Sequence, residues 1–169
     1  MRKPWLGIGF TLSAITDFLL LFTALPLLLG AFYLAFGTYP LSVIIRGIGW
    51  IKLGRESRVR LFKAAGSAVI ILGLLFYVSL LAAKEPRFSI IVWIVYSLME
   101  FSAYVKVSST LGTRLIGFAC ISIIGIATVV WIAVPDAATL RLEALPRLSY
   151  AFIFLLASSL IAAVSFLRK

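Results

Sequence analysis

From Trp5 onward the chain is a succession of apolar runs separated by short clusters of charge. Each run is about 20 residues long, the length a helix needs to cross ~30 Å of hydrocarbon. In lipid only helices and closed barrels can satisfy their own backbone hydrogen bonds. The runs are continuous and lack the apolar/polar alternation of barrel strands, so helices are expected. The expected fold is therefore all-α, an integral membrane helical bundle forming a single transmembrane domain over residues 1–169. Composition points the same way. Hydrophobic residues make up 63 % of the chain and the mean hydropathy is +1.14, whereas a soluble domain is roughly half apolar.

Six spans are expected, at about 5–24, 27–46, 64–83, 88–107, 115–134 and 148–167. The first two come from dividing one nearly unbroken stretch, residues 5–45, into a hairpin. As a single helix that stretch would be about 61 Å long, twice the hydrocarbon thickness. Pro26 is the expected turn, because proline fits the first turn of a new helix and disrupts the interior of an old one. Five spans are the alternative. Six spans put most of the sixteen basic residues, and both termini, on the cytoplasmic side, as the positive-inside rule asks.

Orientation turns on residues 46–63, RGIGWIKLGRESRVRLFK, the long polar interruption of the front half. Its basic residues Arg46, Lys52, Arg55, Arg58, Arg60 and Lys63 read as a cytoplasmic anchor. The remaining connectors are residues 84–87, 106–114 and 135–147, each with the Pro, Gly, Ser or charge that stops a span. Trp5, Trp50, Trp131 and Tyr150 fall near span ends, where amphipathic rings sit among headgroups. Met1-Arg2-Lys3 and the run behind it read as a retained first span, since the run is too long for a signal peptide.

Several chemistries are excluded by what the chain lacks. It contains no His, Asn or Gln, and Cys120 is the only thiol. No zinc, haem or histidine-dependent triad, and no internal disulfide, can be built from such residues. No span carries two acids to share a metal, so no cofactor, metal or catalytic residue is expected and an enzyme has the least support. The net charge of +10 flanks membrane spans, which explains it without nucleic acid. Missing amides and an excess of Arg over Lys suit a thermophilic, archaeal source.

The polar residues inside the spans are the functional candidates. Asp17 lies about 18 Å along the helix from Trp5, near mid-depth, where a carboxyl requires a partner. Antiparallel pairing across Pro26 places it opposite Tyr33, with a helix break expected at Gly37-Thr38-Tyr39-Pro40. An acid beside an unwound helix suits ion binding in a transporter. A neutral Asp17 hydrogen-bonded to Tyr33 or Thr38 would simply tie two helices together. Glu100, about 18 Å into the fourth span, shares a face with Trp93, Tyr96, Ser97 and Tyr104. Small residues at 64–68, and Ala157, Ser158, Ser159, Ala162 and Ala163, suit close helix packing, within the chain or between subunits. Cys120, among apolar neighbours, reads as a buried, inert thiol.

The run GWIKLGRESRVRLFKAAG, a helix end passing through a charged turn into a new apolar helix, resembles small archaeal multi-span membrane proteins of unknown function. The final spans, from Ser108-Ser109-Thr110-Leu111-Gly112 to SFLRK, are similar in pattern. The resemblance implies an archaeal origin and a front hairpin, and no activity. Two functions follow from the residues. The first is a structural or accessory membrane component, an oligomer or a subunit of a larger membrane complex, with the lipid bilayer as its partner. The alternative is a small proton- or cation-coupled transporter or channel using Asp17 and Glu100. A water-filled cavity joining the two acids would favour transport, and a dry bundle the structural role.

Overall fold

The computed structural model describes residues 3–23, 29–82, 86–111, 114–136 and 145–167. These form six α-helices, α1 Pro4–Thr23, α2 Leu29–Glu56, α3 Arg60–Ala82, α4 Pro86–Leu111, α5 Arg114–Asp136 and α6 Leu145–Leu167, with no strand among the described residues. Five of them are long and apolar enough to cross a membrane, while α5 contributes a shorter apolar segment, Leu115–Val129. The protein is a multi-pass membrane helical bundle.

The front apolar stretch is two helices, α1 and α2, as the length argument requires. The turn expected at Pro26 falls in residues 24–28, outside the described residues. Two expectations about α2 need correction. Residues 46–63 are not a long polar loop: α2 continues to Glu56, and only residues 57–59 separate it from α3. The Ser57 amide donates to Leu53 O at 2.9 Å, and Arg58 turns the chain with φ 56°, in the left-handed region uncommon for non-glycine residues. Nor does α2 unwind at Gly37-Thr38-Tyr39-Pro40, because Pro40 lies inside a continuous helix. The connector expected at 106–114 is likewise mostly helical, α4 running to Leu111.

Side-chain contacts fix the topology. Gly9 meets Arg46 and Thr16 meets Thr38, so α1 and α2 are antiparallel. Gly54 against Lys63 and Gly73 against Val43 make α2 and α3 antiparallel, and Ser79 with Ser89 does the same for α3 and α4. Tyr104 with Phe118, and Ser122 with Ser158, continue the alternation through α5 and α6. Finally α6 closes on α1: Asp17 meets Ser159 near one end, and the Lys3 amide donates to Phe166 O at the other. Each helix therefore packs against its neighbours in sequence, and the series closes into an up-and-down ring.

The middle of the ring is aromatic. Phe10 on α1 stands 5.7 Å from Phe118 on α5, 5.7 Å from Phe166 on α6, 5.8 Å from Tyr104 on α4 and 6.3 Å from Trp50 on α2. Trp50 in turn stacks on Phe62 of α3 at 5.7 Å, so all six helices meet in one cluster. Trp50 is fully buried there and is not a headgroup anchor, a second correction to the reading of 46–63. The small residues at 64–68 divide between two faces: Ala65 and Gly66 pack inward, where a Cβ on Gly66 would stand 2.6 Å from Gly47 O, while Ala64 and Ser67 face outward. Ser158, Ser159, Ala162 and Ala163 of α6 are all buried, so their close packing is within the chain.

Candidate functional site

On α2 the residues Tyr39, Val43, Arg46, Trp50 and Leu53 recur at intervals of three or four, with Ser42 beside Val43, which puts them on one helix face. That face points into the ring, and it carries a full positive charge with it. Arg46 is buried, its side chain 8 % exposed, and the Glu100 side chain is 5 % exposed. The Arg46 Nε lies 2.9 Å from Glu100 Oε1 as an ion pair, although its N–H makes no hydrogen bond among the described residues. The same guanidinium donates from NH1 to Ser13 Oγ on α1 at 2.7 Å, and its Cζ sits 5.6 Å from the Phe10 ring centroid. Trp50 Nε1 donates to Glu100 Oε1 at 2.9 Å.

Physical chemistry explains why the site is assembled this way. An isolated charge in an apolar interior is costly, and Arg and Glu offset each other only when their remaining polar atoms also find partners. The planar fork of arginine lets one side chain engage a carboxylate, a hydroxyl and an aromatic face together, which a lysine ammonium would do less well. Gly9 makes this geometry accessible. A Cβ at that position would lie 2.7 Å from Arg46 Cα, so only glycine lets α1 approach closely enough for Ser13 to reach the guanidinium.

Glu100, Tyr96, Ser97 and Tyr104 are buried on the inward face of α4, as their helical spacing anticipates. Tyr96 accepts a 3.2 Å hydrogen bond from Tyr39 on α2. Asp17 is half-buried, and it has different company. Its Oδ2 accepts from Ser159 Oγ on α6 at 2.8 Å, and Arg46 and Glu100 are both within electrostatic range. The partners expected for it were Tyr33 and Thr38, and neither takes that place. Tyr33 is 74 % exposed on the outer face of α2, while Thr38 accepts a 2.9 Å hydrogen bond from Thr16. The pairing across the hairpin thus runs through residue 16 rather than 17, and the neighbouring position on the helix points towards α6.

The basic anchor separates into two groups. Arg55, Arg58, Arg60 and Lys63 are exposed and Lys52 is half-buried, whereas Arg46 belongs to the interior network. Arg46 is the partner of Glu100 that sequence reasoning assigned to the surface. A signal was available: it lies nine residues before Arg55, about 13 Å deeper along the helix, with Gly and Ile on either side. Cys120 also differs from expectation, being exposed on the outer face of α5. The side chain of Trp131 lies outside the described residues.

Two surface grooves lie where α1 begins and α2 ends, and neither borders Asp17, Arg46 or Glu100. Among the described residues no group of three or more Cys, Asp and Glu side chains is placed to hold a metal ion. No family model, curated protein or solved structure matches the chain.

Proposed function

We propose that the chain is a structural or accessory integral membrane protein, acting as an oligomer or as a subunit of a larger membrane complex. The observation that carries this reading is the mutual engagement of Arg46, Glu100 and Trp50 in the interior. Glu100 is balanced by Arg46 and bonded by Trp50, inside an aromatic cluster drawn from all six helices. A carboxylate so engaged fixes which helices meet, a role polar groups serve well in lipid, and leaves little freedom to exchange an ion. A second reading, proton- or cation-coupled transport through Asp17 and Glu100, draws its support from Asp17, whose hydrogen-bond partner is a hydroxyl.

In this reading both termini are cytoplasmic. The up-and-down ring brings Lys3, the break at 57–59 and the junction of α4 with α5 to one end, and the exposed basic residues cluster there. The chain's partners are the bilayer and further membrane subunits, copies of itself or others. Purification at native expression level in mild detergent tests the role: stoichiometric copies or a second polypeptide should remain bound. A monomer that retains nothing would remove the accessory reading. Impermeant thiol labelling of Arg55→Cys and Ala138→Cys, each on a Cys120→Ala background, tests orientation, with residue 55 expected to be protected and residue 138 labelled.

A further inference from the structure

Where α1 begins and α2 ends, an open groove of ≈ 450 Å³ is lined by Pro4, Trp5, Lys52, Arg55 and Glu56. An adjoining recess shares this wall and reaches down to Leu6, Gly49 and Leu53. Lys52 and Arg55 are three residues apart on α2, so their heads project over the same face. Lys52 Nζ stands 3.8 Å from the centroid of the Trp5 ring, which fixes the ammonium by cation–π attraction without neutralising it. Glu56 is engaged by Lys3. Among the described residues neither Lys52 nor Arg55 pairs with a carboxylate, so two cations face the groove with their charge uncompensated. The floor is apolar, Leu6 and Leu53 being buried, and Trp5 is 44 % exposed at the rim.

We propose that this groove binds the headgroup phosphate of an anionic phospholipid, with Lys52 and Arg55 on the phosphate and Pro4 and Trp5 against the glycerol and upper acyl chain. Two unpaired cations at the end of a membrane helix attract an anionic leaflet. A free phosphate would use the cations alone, whereas a lipid also uses the exposed Trp5 ring, and indole rings at a span end pack naturally against lipid. The site rests on the membrane reading of the chain but not on its accessory role, and extraction of the chain from membranes by alkaline carbonate would defeat that reading separately.

Titration of the full-length, delipidated protein in mild detergent tests the proposal, with bound lipid counted by native mass spectrometry. One phosphatidylglycerol should be retained under conditions that strip phosphatidylcholine. Lys52→Met with Arg55→Met should lower its occupancy by about tenfold or more, the scale expected when two juxtaposed cations are lost. Lys52→Arg should retain it. Arg60→Met with Lys63→Met removes the same charge from the same end and should leave occupancy unchanged. Arg55→Met alone changes an exposed side chain that the fold does not use, and should still weaken binding if the double variant fails to fold. Equal losses in the two double variants, equal retention of phosphatidylcholine, or displacement by inorganic phosphate at the lipid's own concentration would each overturn the assignment.

Discussion

Glu100 and Asp17 are both carboxyls at membrane depth in the same ring of helices, yet Glu100 is buried, Asp17 only half-buried, and they are held in different ways. Glu100 on α4 has a charged partner from α2, an indole donor one turn farther along that helix, and a wall of aromatic rings. Asp17 on α1 has a hydrogen bond from a serine of α6. The difference follows from the residues each helix presents. The inward stripe of α2 carries Arg46 and Trp50 four residues apart, whereas the buried positions of α6 near Ser159 are Ser158, Ala162 and Ala163, none of them charged. Glu100 therefore belongs to a charge-balanced unit whose members depend on one another. Asp17 is joined to its neighbour by a bond that many polar groups could replace.

That contrast predicts unequal costs. Arg46→Leu leaves Glu100 without its cation and should destabilise the bundle by about 3–5 kcal/mol in thermal melts, the cost of breaking a buried pair from one side. Adding Glu100→Leu should recover a large part of that loss, since an apolar pair in lipid-like surroundings needs no compensation. If the double variant were as unstable as the single, the two residues would not form a unit. Gly9→Val should come next, at about 1–3 kcal/mol, because its side chain must displace the α2 backbone at Arg46. Asp17→Thr keeps a short hydrogen-bonding group beside Ser159 and should cost about 0.6 kcal/mol and at most about 1.7 kcal/mol, the average and the maximum for interhelical hydrogen bonds in a membrane protein. A larger loss would place Asp17 in the same class as Glu100. Gly37→Ala should be the mildest: nothing lies within 4 Å of the new methyl, and relief of glycine's entropy should raise stability by up to about 1 kcal/mol.

The helical bundle was legible in the sequence because bilayer thickness dictates the length of an apolar run, and that constraint acts on each helix separately. The shared face of Tyr96, Ser97, Glu100 and Tyr104 was legible for a similar reason, since helical period alone sets it, while its inward direction comes from the packing. Counting charge by cluster hides Arg46. Its place on the face of Tyr39 and Trp50 carried the information, and membership in a basic run concealed it. The mispairing of Asp17 has another origin. Counting residues across a turn gives the opposite position on an adjacent helix, but one residue of rotation turns a side chain by about 100°, enough to aim Asp17 at α6 and leave the contact with α2 to Thr16. Closure of α6 onto α1 is a long-range contact that no local pattern encodes. Cys120 illustrates the limit of apolar surroundings as a guide, since in a membrane helix the lipid-facing side is apolar as well.

In the proposed role the charges at membrane depth hold helices together rather than carry ions, and ion flux tests that role most directly. The purified protein, reconstituted into vesicles with an imposed proton or cation gradient and a reporting dye inside, should dissipate that gradient no faster than empty liposomes. A gradient-driven flux in the unaltered protein that disappears in folded Asp17→Thr would contradict the account and assign Asp17 to an ion pathway.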